Sequence, residues 1–372
     1  MSRNLKTAVG AVSALAILAG TAWAQDVPEA LPDYYPDDYG QIVEECRGEG
    51  GLVIYSNMAE YNWAPVIEGF QELYGDVSVQ TLDLDSGEVF ERYFAEAGAG
   101  TETADMLVSA APDKWIEFDE RGSALDYTSP ELDQLPEFAQ PLPNVYVVST
   151  DPMVIMYNKR TLDEDQIPKS LPELASMVEA NPDELEGKVT TYDVGASSFG
   201  YAIARAVADE VGEEAWSWFE AIGPATRPER SSGPMIEKLT SGEYDIGYFI
   251  SGIVLFPKLT PQLETIIGWS FLEGGTPLFL RGVAIPKETG SPACSKLMLD
   301  YILSTAGQTA FGKGGLTPYR EDVDEDAVLG YTYQSVLEAI GGEEKAILID
   351  YDASQIEGDE EFRSRWTASL DQ

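Results

Sequence analysis

The chain has 372 residues, with 65 Asp and Glu against 23 Lys and Arg and a formal charge of −42. A surface this acidic repels nucleic acid and anionic lipid, which excludes both as partners. There is no histidine, so Ser-His-Asp and Cys-His catalysis, histidine-ligated zinc and a histidine pH switch are excluded as well.

In chain order, residues 1–24 read as a secretory signal peptide. Arg3 and Lys6 precede an apolar run from Ala8 to Ala19, and Ala22-Trp23-Ala24 supplies the small-x-small pattern of a cleavage site. The run is too short to span a bilayer and no later one reaches about 18 apolar residues, so an exported, soluble chain in the periplasm is expected. No cysteine follows the cleavage site, so no lipid anchor is expected. Residues 25–48 are an acidic, Pro-rich lead-in that closes in a short helix over 37–48.

From Gly50 onward strands and helices alternate. Short β-rich runs at 52–55, 77–82 and 104–108 each precede a helical stretch, at 57–74, 87–97 and 113–121. Residues 145–158 (VYVVSTDPMVIMYN) read as two extended runs around a polar break, a segment able to cross between domains. The alternation then restarts with helices at 171–180, 199–211, 213–222 and 234–241 and strands at 189–192, near 225 and at 244–250. A second extended stretch, 264–269 with 277–285, returns the chain, and helices follow at 293–303, 307–311, 331–340 and 359–370. The pattern predicts an α/β fold with largely parallel sheets, and the length favours two domains over one core. Cys46 and Cys294 are the two cysteines. Export makes a disulfide one reading, two buried thiols the other.

One local pattern recurs four times: a short apolar strand ends in a small polar residue and a helix begins at once. The instances carry Ser56 and Asn57, Ser109 and Ala110, Ser197 and Ser198, and Ser231 and Ser232. Strand C-termini of open α/β sheets face a ligand crevice, and helix N-termini offer free N–H groups to anions. Each serine also reads as an ordinary cap, and Asn57 with Glu60 has capping-box spacing. Four such ends make a shared cleft the expectation. Arg230, beside the Ser231-Ser232 turn, is a candidate partner for phosphate or carboxylate, or a surface ion pair with Glu229 or Glu237. Arg281, in an apolar run, reads equally as half of a buried pair or as a ligand contact. Tyr55, Tyr61, Tyr192, Phe199, Tyr248 and Phe249 flank these turns as core or stacking residues. No Walker loop, G-x-G-x-x-G or G-x-S-x-G motif occurs, and no EF-hand loop supports a calcium site. No cofactor and no metal is expected.

YPDDY at 35–39, EGGLVIYS at 49–56, DLDSGEVFER at 83–92, TADML at 103–107, VIMYN at 154–158, SSGPMIEKLTSGEY at 231–244 and RGVAIP at 281–286 together resemble periplasmic solute-binding proteins of ABC importers, in the ferric-iron and phosphosugar branch. The resemblance implies a two-lobed type II periplasmic-binding-protein fold: two mixed sheets flanked by helices and joined by two hinge crossovers. Residues 49–150 plus 280–372 would form lobe 1, and 151–279 lobe 2. It also implies hinge closure on a small-molecule ligand, transient docking on an inner-membrane permease, and action as a monomer without catalysis. The contacts it implies are Ser56, Asn57, Ser109 and Ala110 in the first lobe, and Ser197, Ser198, Ser231, Ser232 and, at the strand end near Tyr248, Ser251 in the second.

The sequence departs from the iron-binding pattern. Its only Tyr-Tyr pair, Tyr34-Tyr35, falls in the lead-in, although Tyr192, Tyr244 and Tyr248 are available as hard ligands. Serine-rich helix ends favour a sugar phosphate or organic carboxylate, with a neutral polar solute or a polyamine, which an acidic cleft would suit, as the remaining small-molecule reading. Ferric iron is the alternative within the family. A secreted hydrolase working with two carboxylates is the alternative of another class.

Overall fold

The computed structural model describes residues 31–352 and 359–370. The expected signal peptide lies outside the described residues. Ten strands follow in chain order: β1 (Gly51–Ser56), β2 (Ser78–Asp83), β3 (Met106–Ser109), β4 (Tyr146–Asn158), β5 (Val189–Tyr192), β6 (Thr226–Glu229), β7 (Ile246–Ser251), β8 (Ile267–Phe271), β9 (Thr276–Ala284) and β10 (Ala346–Ile349). Their order is β2-β1-β3-β9-β4-β7-β5-β6, with β10 on β9 and β8 on β4. The runs β2-β1-β3 and β6-β5-β7 are parallel, as strand–helix alternation requires. β9 runs antiparallel to β3, and β4 antiparallel to β7, β8 and β9. The result is the mixed α/β architecture that the strand–helix alternation led one to expect, with antiparallel strands where the two runs join.

β4 is where two sheets meet. Tyr146–Pro152 pairs with β9, whereas Met153 onward pairs with β7 and β8. The sequence suggests a polar break at Ser149-Thr150-Asp151, yet the strand is continuous and all three residues are fully buried. Partners distant in sequence remove the break. Thr150 N–H donates to the Thr317 carbonyl at 3.0 Å, and the Ser149 hydroxyl donates to Asp151 at 2.8 Å. Asp151 also pairs with Arg281. Pro152, with no N–H to give, stands at the hand-over between sheets.

β7 carries a bulge. Val154 faces Ile250 and Met156 faces Gly247, so Tyr248 and Phe249 together oppose Ile155. Phe249 takes φ 61°, the left-handed region that a bulky side chain avoids, at a cost of about 1–3 kcal/mol. Two residues further on, the strand ends at Ser251.

The helix expected from Asn57 begins at Glu60. The intervening turn is held otherwise: Met58 N–H donates to the Ser56 hydroxyl at 3.1 Å, and Asn57 N–H to the Val108 carbonyl at 3.2 Å. Helix Glu60–Tyr74 then buries Trp63, Val66, Phe70 and Tyr74 at helical spacing. Helix Gly40–Glu49 packs on helix Pro292–Leu303, and the Cys46–Cys294 disulfide joins them. The Glu49 carboxylate accepts from Ala293 and Cys294 N–H at 3.0 and 2.8 Å, closing the start of the later helix.

The C-terminal helix Asp359–Leu370, expected with the first lobe, packs instead on the β5–β7 half. Phe362 meets Tyr201 and Trp216, Trp366 meets Phe219, and Arg365 pairs with Glu213 at 2.8 Å. The aromatic i, i+4 pair has apolar partners there. A Cβ on Gly223 would lie 1.8 Å from the Ser369 carbonyl oxygen, so this packing needs glycine.

Candidate functional site

The C-terminal ends of strands from both halves open onto one cavity of about 330 Å³. The β4–β9 side of the fold supplies Asn57 and Tyr61 after β1, Asp83 at the end of β2, Asp85 and Ser86 just beyond it, and Arg281 on β9. The other half supplies Tyr192 at the end of β5, Ser197 and Phe199 in the next turn, and Arg230, Ser231, Ser232 and Gly233 after β6. Ser251, at the end of β7, and Lys258 complete that wall.

Of the eleven residues expected as ligand contacts, Asn57, Ser197, Arg230, Ser231, Ser232 and Ser251 line this cavity, as do Tyr61, Tyr192, Phe199 and Arg281, which the sequence marked as stacking or pairing candidates. Ser56, Ser109, Ala110, Ser198 and Tyr248 do not. Ser56 is fully buried, its hydroxyl accepting from Met58 N–H and, at 3.0 Å, from Trp63 Nε1. Ser109 is also fully buried and donates to the Ser86 carbonyl at 2.8 Å, which fixes the segment that reaches the cavity. Ala110 and Tyr248 belong to the apolar core of the second half. Ser198 is the first residue of helix Ser198–Val211, beside the capping Ser197. Proximity in sequence to a strand end places a residue near the cleft; whether it faces in depends on turn geometry that the pattern does not encode.

The second-half wall is built from serines in different states. Ser197 is spent on capping, accepting from Gly200 N–H at 3.1 Å. The Ser232 hydroxyl lies 2.6 Å from Tyr192 Oη and accepts from Ser251 N–H at 3.0 Å. Burial pushes the Tyr192 phenol well above its usual range. A Cβ on Gly200 would come within 2.3 Å of Tyr192 Cβ, so glycine lets helix Ser198–Val211 seat this tyrosine. Ser231, the N-cap of helix Ser232–Ser241, makes no capping bond, which leaves first-turn N–H groups available at the cavity. The Ser251 hydroxyl is buried with no hydrogen-bond partner.

The charge lining is unusual for so acidic a chain: three cations, Arg230, Lys258 and Arg281, border one small cavity. Arg281 is 2% exposed. Its Nε donates to Asp151 at 2.8 Å, its Nη2 lies 2.6 Å from the same oxygen, and its Nη1 donates to Asn57 Oδ1. The buried-pair reading of Arg281 holds, and the same side chain also borders the cavity. Partial burial raises the Asp83 carboxyl above its usual value, with the Arg281 charge opposing the shift.

Among the described residues no three His, Cys, Asp or Glu side chains gather as a metal set. Of the tyrosines considered as hard ligands, Tyr192 is bonded to Ser232, Tyr244 bonds Glu229, and Tyr248 is fully buried. The charged lining residues that the sequence alone did not single out are Asp83, Asp85 and Lys258. Asp83 and Asp85 lay within a recognisable motif but among 65 acids, where composition hid them.

None of the curated proteins matches this sequence. Among solved structures, the substrate-binding protein of an ABC transporter from Agrobacterium tumefaciens superposes with TM-score 0.77 at 23% identity, over 86% of this chain and 94% of that one. AfuA of Actinobacillus pleuropneumoniae, with fructose-6-phosphate bound, gives 0.68 at 21% over 87% and 99%. Iron-bound HitA of Pseudomonas aeruginosa gives 0.65 at 17% over 86% and 99%. At these identities the likeness is one of fold. The model of the family described as bacterial extracellular solute-binding protein matches residues 66–332, well over half of the chain, and the chain belongs to that family.

Proposed function

We propose that this protein captures a small anionic solute, a sugar phosphate or organic carboxylate, in the periplasm and delivers it unaltered, as a monomer, to the membrane permease of an ABC importer. The observation that carries the reading is the second-half wall. Arg230 and the uncapped start of helix Ser232–Ser241 border the cavity together with the unpartnered Ser251 hydroxyl. Free N–H groups at a positive helix end, a guanidinium and a hydroxyl are the donors that phosphate and carboxylate oxygens need. AfuA, of the same fold, holds fructose-6-phosphate. The two halves would act as lobes closing about β4 and β9.

Organic anions are favoured over ferric iron because Tyr248 packs in the core away from the cavity and the Tyr192 hydroxyl is already engaged by Ser232. Two carboxylates, Asp83 and Asp85, line the cavity, but they share one segment and do not oppose each other as a hydrolytic pair would. A thermal-shift screen with hexose phosphates, dicarboxylates and ferric citrate tests the reading. A rise in Tm with at least one organic anion, abolished by Arg230→Ala, is expected. A rise with ferric citrate alone would replace it with the iron reading.

A further inference from the structure

The next inference rests on that anion-binding reading and concerns the far end of the same solute. The cavity wall is divided by charge. Arg230 and Lys258 stand on the second half, whereas Asp83 and Asp85 stand opposite, at the end of β2 and just beyond it. The third cation, Arg281, is ion-paired with Asp151, although its charge also reaches Asp83. None of the other four makes an ion pair among the described residues. Asp85 accepts a long bond from Gly87 N–H at 3.4 Å, and Lys258 Nζ rests 5.6 Å from the centre of the Tyr61 ring. Two positive and two negative side chains thus line one small space without neutralising each other.

A solute with only an anionic group answers one wall. It then leaves two carboxylates to lose water against an uncharged surface as the cleft closes, which is unfavourable. A solute that also carries an ammonium group answers both walls, and its own charges bridge what the protein leaves unbridged. Ser251 gives independent testimony that a ligand completes this space. The residue is 2% exposed, its hydroxyl has no hydrogen-bond partner among the described residues, and it borders the same cavity. We propose that the solute is zwitterionic, with phosphate or carboxylate at Arg230, the Ser231-Ser232 turn and Ser251, and a primary ammonium at Asp83 and Asp85.

The test compares three probes of one scaffold by calorimetry at low salt and mildly acidic pH: glucose 6-phosphate, glucosamine 6-phosphate and N-acetylglucosamine 6-phosphate. The amino sugar should bind about tenfold tighter than glucose 6-phosphate or more, the gain expected of hydrogen bonds to charged groups. Acetylation, which removes the charge, should erase the gain. In the Asp83→Asn/Asp85→Asn variant the preference for the amino sugar should vanish. Both positions are exposed, and a melting curve checks that the variant is folded. Equal binding of the amino sugar and glucose 6-phosphate by the unaltered protein, or a preference that survives the double substitution, overturns the zwitterion proposal and leaves the anion reading standing. If none of the three phosphates binds, the zwitterion proposal falls, and the dicarboxylate arm of the thermal-shift screen alone decides the anion reading.

Discussion

Arg281 and Asp151 form a buried ion pair at the strand shared by both sheets, 2% and 0% exposed at their side chains. Asp151 lies on β4 one residue before its pairing passes from β9 to β7 and β8, and Arg281 extends from β9 to Asn57 in the cavity wall. One guanidinium thus touches the crossing strand and the cleft together. Removing one partner of such a pair strands a charge in the interior. Arg281→Met is expected to cost about 3–5 kcal/mol, read by denaturant unfolding. Adding Asp151→Leu should restore much of the loss, because the orphaned carboxylate goes with it. A single variant as stable as the unaltered protein would show that the pair does not hold the crossing.

Ser251 offers a separation of stability from binding. Its hydroxyl has no partner in the cavity wall, so Ser251→Ala removes an unsatisfied group and should leave unfolding stability unchanged or slightly higher. Anion affinity should fall by about two- to tenfold, the worth of one neutral hydrogen bond. Calorimetry on the variant checks this, and unaltered affinity would remove Ser251 from the site.

The Cys46–Cys294 disulfide spans 248 residues of chain and joins helices from opposite ends of the first half. A cross-link closing so long a loop restricts the unfolded chain strongly. Cys46→Ala/Cys294→Ala should lose about 2–5 kcal/mol of stability, by denaturant titration, while solute affinity stays within the range of measurement, because neither residue borders the cavity.

Asp300 makes stability depend on pH. Burial raises its carboxyl to about 7, against hydrogen bonds that pull it down. Its Oδ2 accepts from Tyr39 and Tyr127 at 2.7 and 2.5 Å, while Oδ1 has no partner. The folded chain therefore keeps a proton that the unfolded chain releases. The associated stability is fully present below the ordinary aspartate value, about 4, and is lost as pH rises through about 7. Asp300→Asn should flatten that part of the pH–stability profile, measured by denaturant unfolding across this range. An unchanged slope would assign the dependence elsewhere.

Much of the fold was legible because the apolar spacing is strong. Helix Glu60–Tyr74 announced itself through Trp63, Val66 and Phe70, and three of the four strand-to-helix turns supply residues to the cavity, the Ser109-Ala110 turn being the exception. What stayed hidden depends on contacts remote in sequence. Ser149-Thr150-Asp151 looked like a break until Thr317 and Arg281 supplied partners. The C-terminal helix carries its apolar pair openly, but nothing local says which half receives it. β10 (AILI) escaped notice although it is as long as β5, and it forms by lying against β9. At the site, the sequence could not tell Ser56, which pins its own turn, from Ser251, which faces the cavity unbonded.

The extra residue in β7 sets the phase of everything after it. Side chains alternate faces along a strand, so one residue more or fewer exchanges inside for outside. With Phe249 deleted and the start of the strand held, Ser251 would move into the place where Ile250 packs, and Gly252 would arrive where the serine hydroxyl now stands. The donor at the cleft is thus a product of counting as much as of chemistry. An awkward phenylalanine backbone is the device that keeps the count.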